Sequence, residues 1–346
     1  MITKATFKQF TAFRDLTIDI SPGINVFIGA NGTGKTHILK AIYSACTVTK
    51  TAGSFADKVL RVFMPSERQL GRLVHRQQGS SYAELVIARR TSTSPRPNTL
   101  KLVFSNHAVN PDSAKVTGIG PWCKEALEAV YIPVKEMLAN APGFRSLVTS
   151  REAHFEEIYS DIVDRALLPL LKGPPDAKRK DALSPLQDAM KGKVVTKNEE
   201  FFLHSRQGRL EFSLLAEGIR KLGLLWVLIQ NGTLLQGSVL CWDEPEANLN
   251  PRLVRSIAEI LLALSRAGVQ ILLATHDYVL LKELDLGAEE ADDVRFHSLW
   301  RDKDTGDIQV ASTPDYLGIH PNAIADTFAD LLNRDVERAI GVGGGR

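Results

Sequence analysis

Residues 29–36 constrain this chain more than any other segment, because they fit the phosphate-binding pattern G-x-x-x-x-G-K-[ST] at every fixed position. The apolar run at 24–28 predicts a short buried strand, and residues 37–45 predict a helix. In such a strand, glycine loop and helix N-terminus, backbone N–H groups close around phosphates and the helix dipole favours negative charge. The sequence therefore predicts a nucleotide-binding site.

Two side chains of this loop have specific expected roles. Lys35 is predicted to contact the β- and γ-phosphates and to act in catalysis, and the Thr36 hydroxyl is predicted to bind Mg²⁺. The residues predicted to bind the nucleotide in this region are Asn31, Gly32, Thr33, Gly34, Lys35, Thr36 and His37.

A second motif lies far along the chain, where the apolar run at 239–242 is followed by Asp243 and Glu244. A buried strand that ends in two carboxylates places both at the carboxyl edge of a parallel sheet, where ligands bind. This is a Walker B pattern, so Asp243 is predicted to hold Mg²⁺ and Glu244 to orient the water that attacks the γ-phosphate. The pattern alone is common, but together with the phosphate loop it predicts an ATPase.

The residues around these motifs resemble a known family. Residues 244–251 (EPEANLNP) resemble the Walker B and D-loop of ABC-type ATPases, residues 271–277 (ILLATHD) resemble the strand with the switch histidine, and residues 215–222 (LAEGIRKL) occupy the place of the signature motif. The opening residues, up to Leu39, resemble the start of RecF, SMC and OLD-type ATPases. The chain thus resembles the compact ABC-type ATPases of the OLD-like AAA_15/AAA_21 group, many of them prokaryotic defence or DNA-maintenance proteins.

This resemblance implies a fold and a shared site. The implied fold class is α/β, a P-loop NTPase with an ABC-type head, an inserted α+β lobe and a helical segment. Such proteins dimerise head to tail, so Gly218 and Asn248 are expected to reach the ATP of the opposite subunit in a homodimer. His276 is expected to contact the γ-phosphate in its own subunit and to act in catalysis.

The signature departs from the family pattern at Ala216, where serine is usual, and at Ile219, where a polar residue is usual. Arg220 or Lys221 is a candidate substitute that reaches the opposite phosphate, and a solvated helix face is the alternative. No glutamine follows the strand at 129–133, so Glu136 is the nearest candidate for the Q-loop position, with a surface helix glutamate as the alternative.

Domain organisation follows from changes in pattern along the chain. Residues 1–50 and 193–346 are expected to form a split ATPase core, 51–125 an inserted lobe and 126–192 a mainly helical segment. Within the lobe, two strands are expected around a turn at 91–97, and Arg61, Arg68, Arg72 and Arg76 recur at a spacing that would align them on one helix face.

Composition excludes little, because 42 basic and 40 acidic residues leave a net charge of +2 and no global field for nucleic acid or membranes. The N-terminus carries no apolar signal segment, and the three separated cysteines suit a reduced compartment, so we expect a cytoplasmic protein. The uncharged run at 222–242 contains polar residues and glycines, which favours a buried helix, a turn and a buried strand over a membrane span.

Three functions are compatible with the sequence. The first is an ATPase that senses nucleic acid, through the arginine stripe, and controls an effector in antiphage defence or DNA repair. Only 70 residues follow His276, too few for the fused TOPRIM nuclease of OLD-type relatives, so the effector is expected to be a separate protein, a nuclease among the candidates. The others are a nucleotide-gated scaffold with little hydrolysis, which the altered signature favours, and the ATP-binding subunit of a membrane transporter.

Overall fold

The computed structural model describes residues 1–50, 53–92, 94–150 and 154–343. Small parts of the predicted segments, residues 51–52, 93, 151–153 and 344–346, lie outside the described residues. The strands are β1 (Ile2–Phe10), β2 (Phe13–Asp19), β3 (Ile24–Gly29), β4 (Tyr82–Thr91), β5 (Ser94–Ser105), β6 (Lys115–Thr117), β7 (Ala129–Ile132), β8 (Gly192–Lys197), β9 (Glu200–Ser205), β10 (Gly208–Glu211), β11 (Val239–Asp243), β12 (Gln270–Ala274), β13 (Val294–Arg301) and β14 (Ile308–Thr313). The helices are α1 (Lys35–Thr47), α2 (Phe55–Phe63), α3 (Ile119–Cys123), α4 (Ala141–Ser150), α5 (Glu157–Ala166), α6 (Ala177–Met190), α7 (Glu217–Gln230), α8 (Pro251–Arg266), α9 (Tyr278–Gly287) and α10 (Ala323–Gly343).

A six-stranded sheet in the order β14-β13-β3-β12-β11-β7 organises the fold. All its pairs are parallel except β13 with β14. The carboxyl ends of β3, β12 and β11 therefore meet at one edge, which is where open α/β sheets bind ligands. The α/β class predicted from the sequence is confirmed.

Both faces of this sheet are covered, which explains why its strands read as continuous apolar runs. Along β3, Val26 faces a core built with α6, α7 and α8, whereas Phe27 faces a core built with α1. The alternation is the ordinary period of two in a strand. It places the apolar face of α1, which starts at the phosphate loop, against the second core.

A second, antiparallel sheet in the order β2-β1-β4-β5-β6 lies on the α1 side of the molecule. β4 and β5 belong to the predicted inserted lobe, and β4 pairs along β1, with Phe7 opposite Leu85. The lobe is thus attached to the N-terminal strands through the β1–β4 ladder and through a bridge between Phe10 and Val74. The boundaries at 51 and 125 remain a proposal.

The predicted helical segment contains α4, α5 and α6, and it also contains β7, the edge strand of the six-stranded sheet. α5 binds α1 and α2 through charged side chains: Lys40 lies 2.6 Å from Glu156 and Lys58 lies 2.7 Å from Asp161. A three-stranded sheet, β10-β9-β8, follows α6.

The predicted arginine stripe on one helix face is wrong. α2 ends at Phe63, because Met64 adopts a left-handed conformation with φ +48°. Arg68 and Arg72 lie in separate 3₁₀ turns beyond that end. Arg61, on α2, is paired with Asp57 and Glu157.

The apolar run at 222–242 forms the end of α7, a turn and β11, as predicted. Among the residues that the structure describes, no helix is both long enough and apolar enough to cross a bilayer.

Candidate nucleotide-binding site

The phosphate loop leaves the buried strand β3 at Gly29 and depends on three glycines with positive φ. A Cβ on Gly29 would lie 2.2 Å from the carbonyl oxygen of Leu299, and a Cβ on Gly34 would lie 2.4 Å from Phe13 Cζ. Those two glycines allow close packing. A Cβ on Gly32 would meet nothing within 4 Å among the described residues, so this glycine borders open space.

Helix α1 points its N-terminus at this space. It begins at Lys35, and its N-cap is Gly34, which offers no side-chain hydrogen bond to the first turn in the described structure. Free N–H groups and the positive end of the helix dipole make such a terminus an anion site.

The Lys35 ammonium is buried and rests on its own loop. Its Nζ donates to the Gly29 carbonyl at 2.7 Å and to the Ala30 carbonyl at 3.2 Å. Burial lowers the pKa of Lys35, and the nearby carboxylates of Glu244 and Asp243 act in the opposite direction. The cation is therefore held on two neutral carbonyl oxygens of its own loop.

Asp243, at the end of β11, joins the loop to the neighbouring strands. Its Oδ1 accepts from the Thr36 hydroxyl at 3.2 Å, and its Oδ2 accepts from the Tyr131 hydroxyl at 3.1 Å. Burial raises the pKa of Asp243, while the two hydrogen bonds lower it. A hydroxyl and a carboxylate in contact are hard oxygen ligands of the kind that Mg²⁺ takes, with water and substrate phosphates completing its shell. The predicted metal residues Thr36 and Asp243 thus fit that ion.

Glu244 follows Asp243 in a strained backbone conformation. Its φ is +48°, which is uncommon for a side chain of this size, and its N–H donates to the Ala274 carbonyl at 2.8 Å. Such strain is concentrated at functional sites. The bend places Glu244 Oε1 3.5 Å from His276 Nδ1, at the end of the next strand.

Glu246 was not predicted as a site residue, yet its carboxylate binds the segment that contains the switch histidine, His276. Its Oε1 accepts from the Thr275 hydroxyl at 2.7 Å and from the His276 N–H at 3.2 Å. Burial raises the pKa of Glu246, and these donors lower it. The carboxylate therefore positions the backbone of His276 beside Glu244.

Gly218 and Asn248 lie together in a second cluster, formed by the N-terminus of α7 and the D-loop. A Cβ on Gly218 would lie 2.8 Å from Leu249 Cδ2. Asn248 has φ +60°, and its side chain donates to Glu217 Oε2 at 3.0 Å. The predicted contacts of both residues with an opposite subunit stay predictions.

Arg220 and Lys221 make contacts within their own chain. Lys221 is buried and donates to the Ala247 carbonyl at 2.6 Å. Arg220 Nε lies 2.9 Å from Glu136 Oε2, an ion pair that is not aligned as a linear hydrogen bond. Glu136 is a fully buried residue after β7, not a surface helix glutamate, and it ties that strand end to α7.

The structure brings Lys35, Thr36, Asp243, Glu244 and His276 to one sheet edge. His37, in contrast, points its ring at Phe63, with centroids 5.7 Å apart, and burial lowers its pKa to about 4. Thr33 donates to the Ala30 carbonyl within the loop, while Asn31 is exposed.

Sequence reasoning missed Tyr131 and Glu246. The only available signal for Tyr131 was a hydroxyl inside an otherwise aliphatic strand, and for Glu246 a third acid directly after the Walker B pair.

Two family models match separate parts of the chain. One, described as "AAA domain, putative AbiEii toxin, Type IV TA system", matches residues 125–282, and another, described as "AAA domain", matches residues 4–118. Between them they cover the phosphate loop, the Walker B strand and the switch histidine.

Curated relatives are DNA replication and repair proteins named RecF. The chain is 30% identical to the one from Streptococcus thermophilus over 89 residues, 26% of this chain and 24% of that protein. It is 24% identical to the one from Limosilactobacillus reuteri over 226 residues, 61% of this chain and 60% of that protein. The chain therefore spans less than two thirds of these relatives.

Solved structures with the same fold are SMC head domains. An SMC head bound to the C-terminal winged-helix domain of ScpA covers 90% of this chain and 97% of its own, with a TM-score of 0.57 at 16% identity. An SMC head with an extended coiled coil, bound to the C-terminal domain of ScpA from Pyrococcus furiosus, gives a TM-score of 0.56 at 14% identity and covers 90% and 96%. This likeness shows the fold.

Proposed function

We propose that this chain, which belongs to the OLD/RecF/SMC-like group of ABC-type ATPases, binds ATP with Mg²⁺ at the β3–β11–β12 edge and hydrolyses it. The observation that carries the proposal is the meeting of two distant motifs. Thr36, from the phosphate loop, touches Asp243, from the Walker B strand, at 3.2 Å, with Lys35 and Glu244 on either side. A glycine-rich turn that binds no ligand would not be expected to contact that carboxylate.

Each residue of the cluster has a role in this proposal. Lys35 leaves the carbonyls of its loop and binds the β- and γ-phosphates, a charge-assisted contact. Thr36 and Asp243 hold Mg²⁺, which neutralises phosphate charge when it is bound. Glu244 orients the attacking water and accepts its proton, and His276 contacts the γ-phosphate.

We further propose that ATP joins two copies of the chain in a homodimer with composite sites. The exposed Asn248 and the N-terminus of α7 at Gly218 then face the opposite γ-phosphate. Arg220 and Lys221 are engaged within their own chain, so either would have to leave Glu136 or the Ala247 carbonyl to reach the opposite site.

A separate effector remains part of the proposal, in antiphage defence or DNA maintenance. The match to a toxin–antitoxin family model supports the first setting, and the likeness to RecF supports the second. The two SMC heads are each bound to a domain of ScpA, which supports a protein partner here as well. A nucleic-acid ligand rests on the RecF likeness alone, since the arginines at 61–76 do not share a helix face.

One observation favours the second candidate, a nucleotide-gated scaffold with little hydrolysis. Ala216 caps α7 without a side-chain hydrogen bond, and a serine is usual at this place. A signature that binds the opposite phosphate weakly slows turnover without preventing ATP binding in the phosphate loop.

Glu244→Gln tests the proposal, with the surface substitution Glu259→Gln on α8 as its matched control. Glu244→Gln should keep ATP binding, lose ~10²-fold or more in turnover, and shift from monomer to dimer in solution when Mg-ATP is added. Glu259→Gln should behave as the parent does.

The outcomes separate the candidates. Unchanged turnover in Glu244→Gln would remove this residue from the catalytic role. A monomer at every ATP concentration would contradict the composite site. A dimer without nucleotide, together with negligible turnover in the parent, would favour the scaffold.

A further inference from the structure

Tyr131 is a buried tyrosine on β7, a strand that carries none of the predicted catalytic residues. It is 1% exposed and lies directly opposite Cys241 in the parallel ladder with β11. Side chains at 131, 241 and 243 share the α1 face of the sheet. The tyrosine side chain is longer than that of Cys241, so it extends along the ladder. Its hydroxyl donates to Asp243 Oδ2 at 3.1 Å.

Because of this hydrogen bond, the two oxygens of the Asp243 carboxylate have different partners. Oδ1 faces the Thr36 hydroxyl and hence the proposed metal position, whereas Oδ2 faces Tyr131. A buried carboxylate with one free oxygen could rotate about its last bond, and a donor on Oδ2 prevents that rotation. Hydrogen bonds of this type orient metal ligands in other proteins.

The Tyr131 hydroxyl is itself held in place. Its ring packs edge-on against Tyr43 on α1, with centroids 5.5 Å apart. The Tyr43 hydroxyl donates elsewhere, to Asp161 on α5 at 2.6 Å.

We propose that Tyr131 is a positioning residue for the metal site: its hydroxyl fixes the Asp243 carboxylate so that Oδ1 is presented beside Thr36 to a divalent cation. The inference rests on the proposed function, because it assumes that Asp243 binds Mg²⁺ together with ATP.

The test is Tyr131→Phe, which removes one oxygen and keeps the buried ring. Binding of a fluorescent ATP analogue is titrated with Mg²⁺, and separately measured in EDTA. The Mg²⁺ concentration for half-maximal enhancement should rise ~10-fold or more in Tyr131→Phe, within the range for lost ligand-orienting bonds. Affinity in EDTA should stay that of the parent, because the phosphate loop is unchanged.

Tyr43→Phe is the matched control, since it removes a hydroxyl from the same aromatic pair but from a bond to Asp161. It should leave the Mg²⁺ midpoint within about twofold of the parent, whereas Asp243→Asn should abolish the enhancement. A Tyr131→Phe midpoint equal to that of the parent, or one matched by Tyr43→Phe, would overturn the inference.

Failure of the proposed function gives a different result. A parent that does not bind the analogue, or binds it with no response to Mg²⁺, contradicts the proposed function itself. Where Tyr131→Phe fails to fold, 3-fluorotyrosine placed at position 131 serves instead. Its ¹⁹F resonance should shift on addition of Mg²⁺ to the ATP complex, and an unmoved resonance would overturn the inference.

Discussion

Two groups of predicted site residues differ in their exposure. We call Lys35, Thr36, Asp243, Glu244 and His276 the phosphate-loop cluster, and Ala216, Gly218 and Asn248 the signature cluster. In the first, Lys35 and Asp243 are buried, and a Cβ on Gly32 in the same loop would meet nothing within 4 Å among the described residues. In the second, Ala216 and Asn248 are exposed, and the adjacent Leu214 is 72% exposed. Under the proposed function the first cluster binds ATP within one chain, whereas the exposed Ala216 and Asn248 of the second are expected to meet the ATP of another copy.

The charges show the same contrast. Lys35 keeps its ammonium on neutral carbonyls, available for phosphate, while Arg220 and Glu136 neutralise each other inside the signature region. A buried cation that is bonded to neutral carbonyls suits the binding of an anion, whereas a cation paired with a carboxylate suits a structural role. Substitutions in the two regions should therefore affect different measurements.

The largest effect on ATP binding is expected for Lys35→Met in the phosphate-loop cluster. Loss of the buried cation should weaken ATP binding by ~10²-fold or more, as for truncation of one partner in a buried charge pair. Titration with a fluorescent ATP analogue measures it, with Lys8→Met on the exposed side of β1 as the control. If the two variants bound ATP with equal affinity, Lys35 would not be the residue that binds the phosphates.

Gly218→Arg should act on the other region and leave ATP binding by the single chain intact. The side chain must displace Leu249, and its bulk would occupy the place where a dimer partner is expected to bring its phosphate. The ATP-dependent dimer should weaken ~30-fold or more, about the loss for a central interface residue. Sedimentation with Mg-ATP measures this.

The control for that variant is Gly120→Arg, because a Cβ on Gly120 would find open space within the described structure. The comparison between the two regions would fail if Gly218→Arg lost ATP affinity as Lys35→Met does, or if it dimerised as Gly120→Arg does.

Arg220→Met should destabilise the fold without removing a phosphate contact. It leaves Glu136, whose side chain is 0% exposed, without its counter-ion, a loss of about 3 kcal/mol in the free energy of unfolding at neutral pH. Urea unfolding measures it. Arg255→Met, which breaks an exposed pair with Glu259, should cost below about 0.5 kcal/mol.

The loss in Arg220→Met should also depend on pH. Burial already raises the pKa of Glu136, so its contribution to stability is present below the unfolded glutamate pKa and is lost as pH rises through the folded value. Removing Arg220 raises that pKa further. The destabilisation should therefore grow as pH rises above the ordinary glutamate range, and Glu136→Gln in the same chain should restore part of the stability. A loss that does not vary with pH would contradict the pairing.

The smallest effect is expected for Ala216→Ser, which restores the usual signature serine. Ala216 has φ −59° and ψ 142°, a backbone that suits a serine N-cap, so the hydroxyl should accept from the first turn of α7. The gain should be about 0.5–1 kcal/mol in the free energy of unfolding. Ala216→Val, which lacks the hydroxyl, should give no gain, and an equal gain from both would exclude capping.

Local patterns in the sequence predicted the phosphate loop and the Walker B strand, because each is a contiguous segment whose period and glycine positions carry the information. The strand pair was also predicted, as β4 and β5, but β5 begins at Ser94, inside the turn expected at 91–97. The arginine stripe was wrong because spacing alone does not show that a helix stops, and Met64 ends α2 in a left-handed conformation.

The sequence by itself determined that a glycine loop, a helix N-terminus and a strand ending in Asp243 and Glu244 exist in this chain. Only the tertiary structure decided that Tyr131 bonds Asp243, that Glu136 pairs with Arg220, and that β4 extends the ladder of β1. The physical reason is that these contacts join residues about 80 to 110 positions apart, whose meeting depends on sheet order and register. Neighbouring residues restrict one another through backbone geometry, but distant ones meet only once the layers have packed.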